Sequence, residues 1–382
     1  MGIPLYFKTI SSKFPETIIE ELEEIINQPV NNHLFFDLNC AIHPCCRNIL
    51  KEYNNNKTKD NVLEKRMLNE IIDYMKKIIN LTKPNYIYIA IDGVAPFSKM
   101  AQQRERRYKS HLNKQIDDNM RREMGIDLPN HWDTNAISPG TAFMESVYEK
   151  IIHSIKNGEL EYETGVTKQI IFSSANDPGE GEHKILNYMK NTDTIKENDN
   201  LIVYGLDADL IMLSMSSKLN KIYLLREALQ FNKVIEGKFL LLDIDYLKYG
   251  LIMTLRDHIV EFDSLYVIED IDRIIDDYIF LCYFLGNDFL PHIPGLSLKD
   301  NGHDILLKNY IAILVNFREY LVDRNKMKIS NQFIFSLVNK LAGQEAQLYQ
   351  KFVHKRSRLR PGNMKTNDPY ENRKNLLNDL PI

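Results

Sequence analysis

The chain has 382 residues, of which 44% are hydrophobic and 26% charged, and a formal net charge of −4. These proportions are those of an ordinary globular protein with enough apolar material for a sizeable core, as one elaborated domain with an appended segment or as two domains. They exclude a membrane-spanning chain, because no uninterrupted apolar run is long enough to cross a bilayer, and they exclude bulk electrostatic attraction to nucleic acid, although a local basic patch can hide in the average.

The first six residues, Met1-Gly2-Ile3-Pro4-Leu5-Tyr6, lack the charged and apolar regions of a secretory signal. The four cysteines, Cys40, Cys45, Cys46 and Cys282, make neither a CxxC framework nor a zinc spacing. Reduced thiols in an intracellular setting are therefore expected, with the cytoplasm ahead of a nuclear or virus-associated compartment.

Residues 4–13 and 16–27 are predicted to be helical, and His33-Leu34-Phe35-Phe36 to be a strand that delivers Asp37 at its end. Helices are expected over 40–52 and 61–81, closed by Pro84. A second strand over 86–91 delivers Asp92. From Lys99 to Lys109 the chain turns strongly basic, with no Gly or Pro to interrupt a helix. Lys99, Gln103, Arg106 and Arg107 fall on one face of it at i, i+4, i+7 and i+8. Ser138-Pro139-Gly140-Thr141 opens a further helix, and the strand over 169–172 leads into Asp177-Pro178-Gly179-Glu180-Gly181-Glu182-His183-Lys184 and a helix through 189.

The apolar run Leu201-Ile202-Val203-Tyr204 has the length and content of a buried parallel strand. It ends at Gly205 and delivers Asp207 and Asp209 just before a helix. A further strand is expected over 221–225, and helices over 270–285, 303–322 and 332–350. A rigid turn falls at Pro291, Pro294 and Gly295. The tail beyond 351 is basic and rich in Asn and Pro, and is expected to be poorly ordered.

Strand-end or loop acids thus recur at Asp37, Asp92, Glu180, Glu182, Asp207, Asp209 and Asp288. Any one of them alone reads equally well as a helix cap. As a set they require more, because capping needs neither Asp-x-Asp nor Glu-x-Glu nor repeated delivery from strand ends, where open α/β sheets bind ligands. Carboxylates converging on one rim repel unless cations join them, and hard oxygen ligands favour Mg²⁺ or Mn²⁺. Two such ions about 4 Å apart can activate a water and stabilise the leaving oxygen of a phosphodiester. The basic helix that follows Asp92 is the natural complement for phosphate oxygens, although a solvated surface helix is its plainer reading. His43 could stack on a base, but a lone histidine is more often packed or exposed without a role, and Trp132, the single tryptophan, is expected in the core.

Several stretches together resemble the Xrn/Rat 5′-to-3′ exoribonucleases. They are Met1-Gly2-Ile3-Pro4, Phe36-Asp37-Leu38-Asn39, Asp92-Gly93-Val94-Ala95-Pro96 with Lys99-Met100, and Gln102-Gln103-Arg104 with Arg106-Arg107. They continue in order through Ser138-Pro139-Gly140-Thr141, Pro178 to Lys184, Tyr204 to Leu210, and Phe284-Leu285-Gly286-Asn287-Asp288-Phe289-Leu290-Pro291-His292. The resemblance implies an α/β fold of the PIN-like, flap-nuclease-like kind, with a mostly parallel twisted sheet flanked by helices and a helical C-terminal segment. It implies that the seven acids hold two divalent metals, Mg²⁺ or Mn²⁺. Lys99, Gln103, Arg106 and Arg107 would form the pocket for a 5′-monophosphate, and His43 would stack on the first base of a single-stranded RNA. It also implies a catalytic region over 1–300, followed by a helical connector and basic tail over 301–382.

Two departures from the family are visible. Phe97 stands where the family usually has Arg after Ala-Pro, and the family's second characteristic region, which encloses the site, is expected to have no counterpart before Ile382. Either the chain is a piece of a longer enzyme or it is a shorter one with weaker end discrimination and processivity. The function expected on this resemblance is Mg²⁺-dependent exoribonuclease activity on 5′-monophosphorylated RNA, releasing nucleoside 5′-monophosphates. The alternatives are a structure-specific 5′ DNA flap nuclease of the same fold, or an inactive RNA-binding or scaffold module.

Overall fold

The structure is a computed structural model and describes residues 3, 5–53, 59–128, 132–163, 165–205, 207–230, 233–263, 267–287, 290, 291, 293, 296, 298, 301–358, 368 and 370. From the amino end come α1 (Tyr6–Lys13), β1 (Ile18–Ile19), α2 (Glu23–Ile26), β2 (Asn32–Asp37), α3 (Asn39–Tyr53), α4 (Asp60–Thr82) and β3 (Tyr86–Ala90). Next are α5 (Phe97–Glu123), α6 (Ala142–Lys156), β4 (Gln169–Ser173), α7 (Gly181–Asn191), β5 (Asn200–Tyr204), α8 (Ala208–Ser216), β6 (Ile222–Gln230) and β7 (Lys233–Asp243). The remainder comprises α9 (Ile244–Phe262), α10 (Ile271–Cys282), α11 (Gly302–Phe317), β8 (Val322–Asp323), β9 (Lys328–Ile329) and α12 (Asn331–Arg358).

Seven strands form one sheet in the order β1-β7-β6-β5-β2-β3-β4. β2 through β6 run parallel, while β7 pairs antiparallel with β6 and with β1. The mostly parallel α/β sheet expected from the sequence is therefore present, with a helical segment after it. Parallel strands buried on both faces read as continuous apolar runs, and every residue of β2 is buried. Successive side chains nevertheless alternate between two cores. Leu34, Phe36, Ile87, Ile89, Ile202 and Tyr204 pack with α3, α4 and α6. Phe35, Leu201, Val203 and Leu224 pack with α1, α8, α9, α10 and α11 on the other face.

A polar chain ties α1 to the helical segment. The Tyr6 and Tyr278 hydroxyls lie 2.8 Å apart, Tyr278 meets His303 Nε2 at 2.9 Å, and Asp304 accepts from Lys13 Nζ at 3.0 Å.

Three elements differ from expectation. Residues 16–27 are not one helix: a 3₁₀ turn at Pro15–Thr17 precedes Ile18 and Ile19, whose β-branched pair adds to the sheet opposite Leu242 and Leu241. The helix expected over 303–322 ends at Phe317, where Arg318 takes a left-handed φ of 54°. The buried Asp277 carboxylate then accepts from Leu321 N at 2.8 Å and Val322 N at 2.7 Å and so fixes a non-helical path. The last helix runs to Arg358, past its expected end. Trp132 is in the core, edge-on to Phe143 at 5.0 Å, and donates to Glu64 Oε1 at 3.0 Å.

Candidate active site

β2 lies between β3 and β5, and the chain changes direction across the sheet when it passes from β4 to β5 on the other side of β2. Crevices outside the carboxyl ends of strands at such a reversal are where open sheets bind ligands. Asp37 is the last residue of β2, opposite Ala90 of β3, and Asp92 lies two residues beyond that partner. Glu180 and Glu182 flank the start of α7, and Asp207 and Asp209 the start of α8. Six of the seven predicted acids are thus delivered to one end of the sheet. The seventh, Asp288, lies outside the described residues.

The inner acids are held tightly. Asn39 clamps Asp92 twice, donating from Nδ2 to Oδ2 at 3.0 Å and accepting from the Asp92 amide at 2.9 Å. Gly181 N donates to Asp92 Oδ1 at 2.6 Å. Glycine at position 181 lets the carboxylates come close, because a Cβ there would lie 3.0 Å from Asp37 Oδ1 and 3.3 Å from Asp92 Oδ1 and one of them would have to shift. Lys99 Nζ, itself buried, pairs with Glu180 Oε1 at 3.1 Å. Lys184 Nζ reaches two backbone carbonyls, Ile91 and Ser174, each at 2.8 Å.

Charge is poorly compensated at the centre. Asp37 is only 4% exposed and receives a weak Cys40 thiol donor at 3.2 Å on Oδ2, while its Oδ1 is buried without a hydrogen-bond partner. Burial first, and the Asp92 carboxylate second, push the Asp37 pKa up to about 7. Burial also raises Asp92 and Glu182, and for Glu182 the charges of Asp37 and Asp209 add to it. Asp209 borders neither cavity described below, but it is close enough to act on Glu182.

Two adjoining cavities open here. One, of about 440 Å³, is bordered by Asp37, Asp92, Glu180, Glu182, Asp207 and Lys99. The other, of about 410 Å³, is bordered by Arg107, Ser110, Thr134, Asn135 and Ser138. Asn39, His43, Arg47, Asp92, Gln103 and Arg106 border both. The predicted cationic face is therefore split: Lys99 belongs with the acids, Arg107 with the second cavity, and Gln103 and Arg106 bridge them. His43 lies in the shared wall, exposed at its surface, and partial desolvation there and then the Arg47 charge lower its pKa.

A family model described as the XRN 5'-3' exonuclease N-terminus matches residues 1–228. The chain belongs to this family. A second model, the Xrn1 helical domain, matches residues 268–379 of the XRN chain. The 5'-3' exoribonuclease 2 of Debaryomyces hansenii is 29% identical over 405 residues, covering 92% of this chain and 39% of that protein. The 5'-3' exoribonuclease 1 of Saccharomyces cerevisiae is 32% identical over 342 residues, covering 86% of this chain and 22% of the relative. The chain thus spans about two fifths of the first relative's length and about one fifth of the second's. Among solved structures, the catalytic core of Rad2 in complex with DNA substrate matches at 14% identity with a TM-score of 0.41, covering 90% of this chain and 79% of that one.

The donor set of this XRN chain fits a divalent cation. Ligand atoms of Glu180, Glu182 and His183 lie within 4.8 Å of one another, the buried Asp37 Oδ1 lacks a partner, and Gly181 leaves open the space beside Asp37 and Asp92. These are mainly hard oxygens, the type that Mg²⁺ and Mn²⁺ prefer. Asn39, Cys40 and Arg47 were not singled out by sequence reasoning, yet all three border the site. Arg47 carried a usable signal, falling on the predicted helix one turn after His43, and Asn39 lies just before that helix, two residues after Asp37.

Proposed function

We propose that this chain carries the catalytic region of a 5′-to-3′ exoribonuclease that hydrolyses single-stranded RNA from a 5′-monophosphate end and releases nucleoside 5′-monophosphates. One observation carries the reading: a cluster of carboxylates, with the buried Asp37 Oδ1 lacking a hydrogen-bond partner, and a row of guanidiniums share a continuous wall, which matches a bound phosphodiester next to a terminal phosphate. The names of the relatives support it. So does the absence, among the described residues, of any helix long and apolar enough to cross a membrane. A cytoplasmic setting and a division into a catalytic unit over 1–300 and a connector over 301–382 belong to the same proposal.

Asp37, Asp92, Glu180, Glu182, Asp207, Asp209 and Asp288 would hold two Mg²⁺ or Mn²⁺ ions. Bound there, such ions supply Lewis-acid stabilisation of phosphoryl oxygens and an activated water. The protein's own residues do the rest. Gln103, Arg106 and Arg107 donate to the terminal phosphate, His43 stacks on the first base, and Lys99 holds Glu180 in place through its ion pair. Asn39 fixes the rotamer of Asp92 through both of its amide atoms.

The test compares RNAs carrying 5′-monophosphate, 5′-hydroxyl and 5′-triphosphate ends, with Mg²⁺ present, and adds a 5′-flap DNA duplex. Rapid turnover of the monophosphorylated RNA alone is expected. Equal rates on the three RNAs would overturn the pocket assignment, and preferential flap cleavage would overturn the substrate class. Asp207→Ala is expected to abolish cleavage while RNA binding persists, and retained turnover would place the cations elsewhere.

A further inference from the structure

We infer that Arg47 is a third guanidinium of the 5′-end pocket, reaching the terminal phosphate from α3 rather than α5 and setting how strongly a phosphorylated end is preferred. The inference rests on the 5′-end reading proposed above.

α3 follows directly on Asp37, and its register puts His43 and Arg47 one turn apart on the same face. Both border both cavities. Arg47 is exposed, and among the described residues its side-chain hydrogen bond is local: Nε donates to the His43 carbonyl at 3.4 Å. That contact steadies the stem of the side chain without neutralising its charge. Among the described residues no carboxylate pairs with Arg47, in contrast to Lys99, which Glu180 neutralises.

An isolated surface arginine would carry no such meaning. Arg47 differs in its placement, because it and Arg106 are the two guanidiniums that border both the acid cavity and the cavity of Arg107. Arg106 comes from α5 and Arg47 from α3, so an anion at the junction meets fork-shaped donors from two walls. Planar guanidiniums match phosphate oxygens two at a time, so forks from two elements can together engage more of the phosphate oxygens than one fork alone. His43, on the same helix face, lies within the field of Arg47.

Steady-state kinetics on matched RNAs with 5′-monophosphate and 5′-hydroxyl ends test this, using wild type, Arg47→Ala, Arg47→Lys and the control Lys51→Ala. Lys51 is exposed one turn further along α3 and borders neither cavity. Arg47→Ala is expected to raise KM for the monophosphorylated RNA about tenfold or more, as for a lost hydrogen bond to a charged group. The loss on the hydroxyl end should be much smaller, so the preference for a phosphorylated end falls. Arg47→Lys should recover part of the preference, and Lys51→Ala should match wild type. A discriminating wild type whose preference survives Arg47→Ala overturns this inference alone, as does an equal loss on both ends. A wild type indifferent to the end overturns the 5′-end reading together with it. Matching thermal unfolding curves exclude a folding defect, and Arg47→Lys decides the question if the alanine variant misfolds.

Discussion

Replacing Asp37 by Asn should stabilise the cation-free protein, and by an amount that depends on pH. In the folded chain the Asp37 carboxyl has its pKa raised from 3.8 to about 7, by burial foremost and then by Asp92. Unfolding returns it to its usual value, so across this window the unfolded state sheds a proton that the folded state keeps. Stability from this group is therefore complete below about pH 4 and is lost as the pH rises toward 7. A span of about three pH units at 1.36 kcal/mol each comes to roughly 4 kcal/mol. In EDTA near pH 8, Asp37→Asn should recover most of this, with a further gain because the Asp37 charge also raises Glu182. Near pH 5 the advantage should shrink to less than half. Urea denaturation at the two pH values, with and without Mg²⁺, reads the effect, and added Mg²⁺ should favour wild type over the variant. A variant no more stable than wild type near pH 8 would refute the reasoning. So would an advantage that does not change with pH, since that would reflect packing rather than ionisation.

Gly181→Ala should cut the nuclease rate about tenfold or more, because its Cβ would sit 3.0 Å from Asp37 Oδ1 and displace a carboxylate. Its unfolding midpoint should hold or rise, alanine being the better helix former, and a wild-type rate would mean that the carboxylates have slack. Asp277→Ala removes the acceptor of Leu321 N, Val322 N and the Tyr310 hydroxyl, and is expected to cost about 3 kcal/mol or more in urea denaturation. A cost below about 1 kcal/mol would show that the β8 segment finds other partners. Trp132→Phe keeps the ring against Phe143 but loses the donor to Glu64, so a loss of about 1 kcal/mol is expected by the same measurement.

The strands that carry acids were legible because each is a short apolar run with a carboxylate at its end or within a few residues after it, and β2, β3, β4 and β5 appear within a residue or so of their expected bounds. β7 and α9 were missed. β7 is the antiparallel return of a hairpin, and its first half, Lys233 to Lys238, mixes Val234 and Ile235 with Lys, Glu and Gly and so hides a strand whose buried core residues are Phe239, Leu241 and Leu242. β1 failed for a different reason: two isoleucines take strand geometry only because β7 offers them an edge, a partner more than two hundred residues away. The helix expected over 303–322 ended early through another distant group, Asp277. Local periodicity cannot register such tertiary demands. In the site, sequence spacing put Lys99 with Gln103, Arg106 and Arg107 on one helix face. It could not show that burial turns Lys99 toward Glu180 and away from the arginine cavity.

The two buried lysines offset part of the charge where so many acids meet at one end of the sheet. Lys99 neutralises Glu180 directly. Among the described residues Lys184 forms no ion pair with the acids. It donates to the carbonyls of Ile91 and Ser174, joining the ends of β3 and β4 from which Asp92 and Glu180 depart. Burial lowers its pKa, as expected for a lysine used as a backbone tie. The stretch Glu180-Gly181-Glu182-His183-Lys184 thus supplies carboxylates, the open space beside Asp37 and the tie that fixes the loops around it. Asp92 has amide donors and Glu180 has a lysine, whereas Asp37 has little more than a thiol. The deficit of positive charge is therefore centred on Asp37 and Glu182. That is where the proposed cations would gain most, and where a structure stabilised for its own sake would not have kept two buried carboxylates.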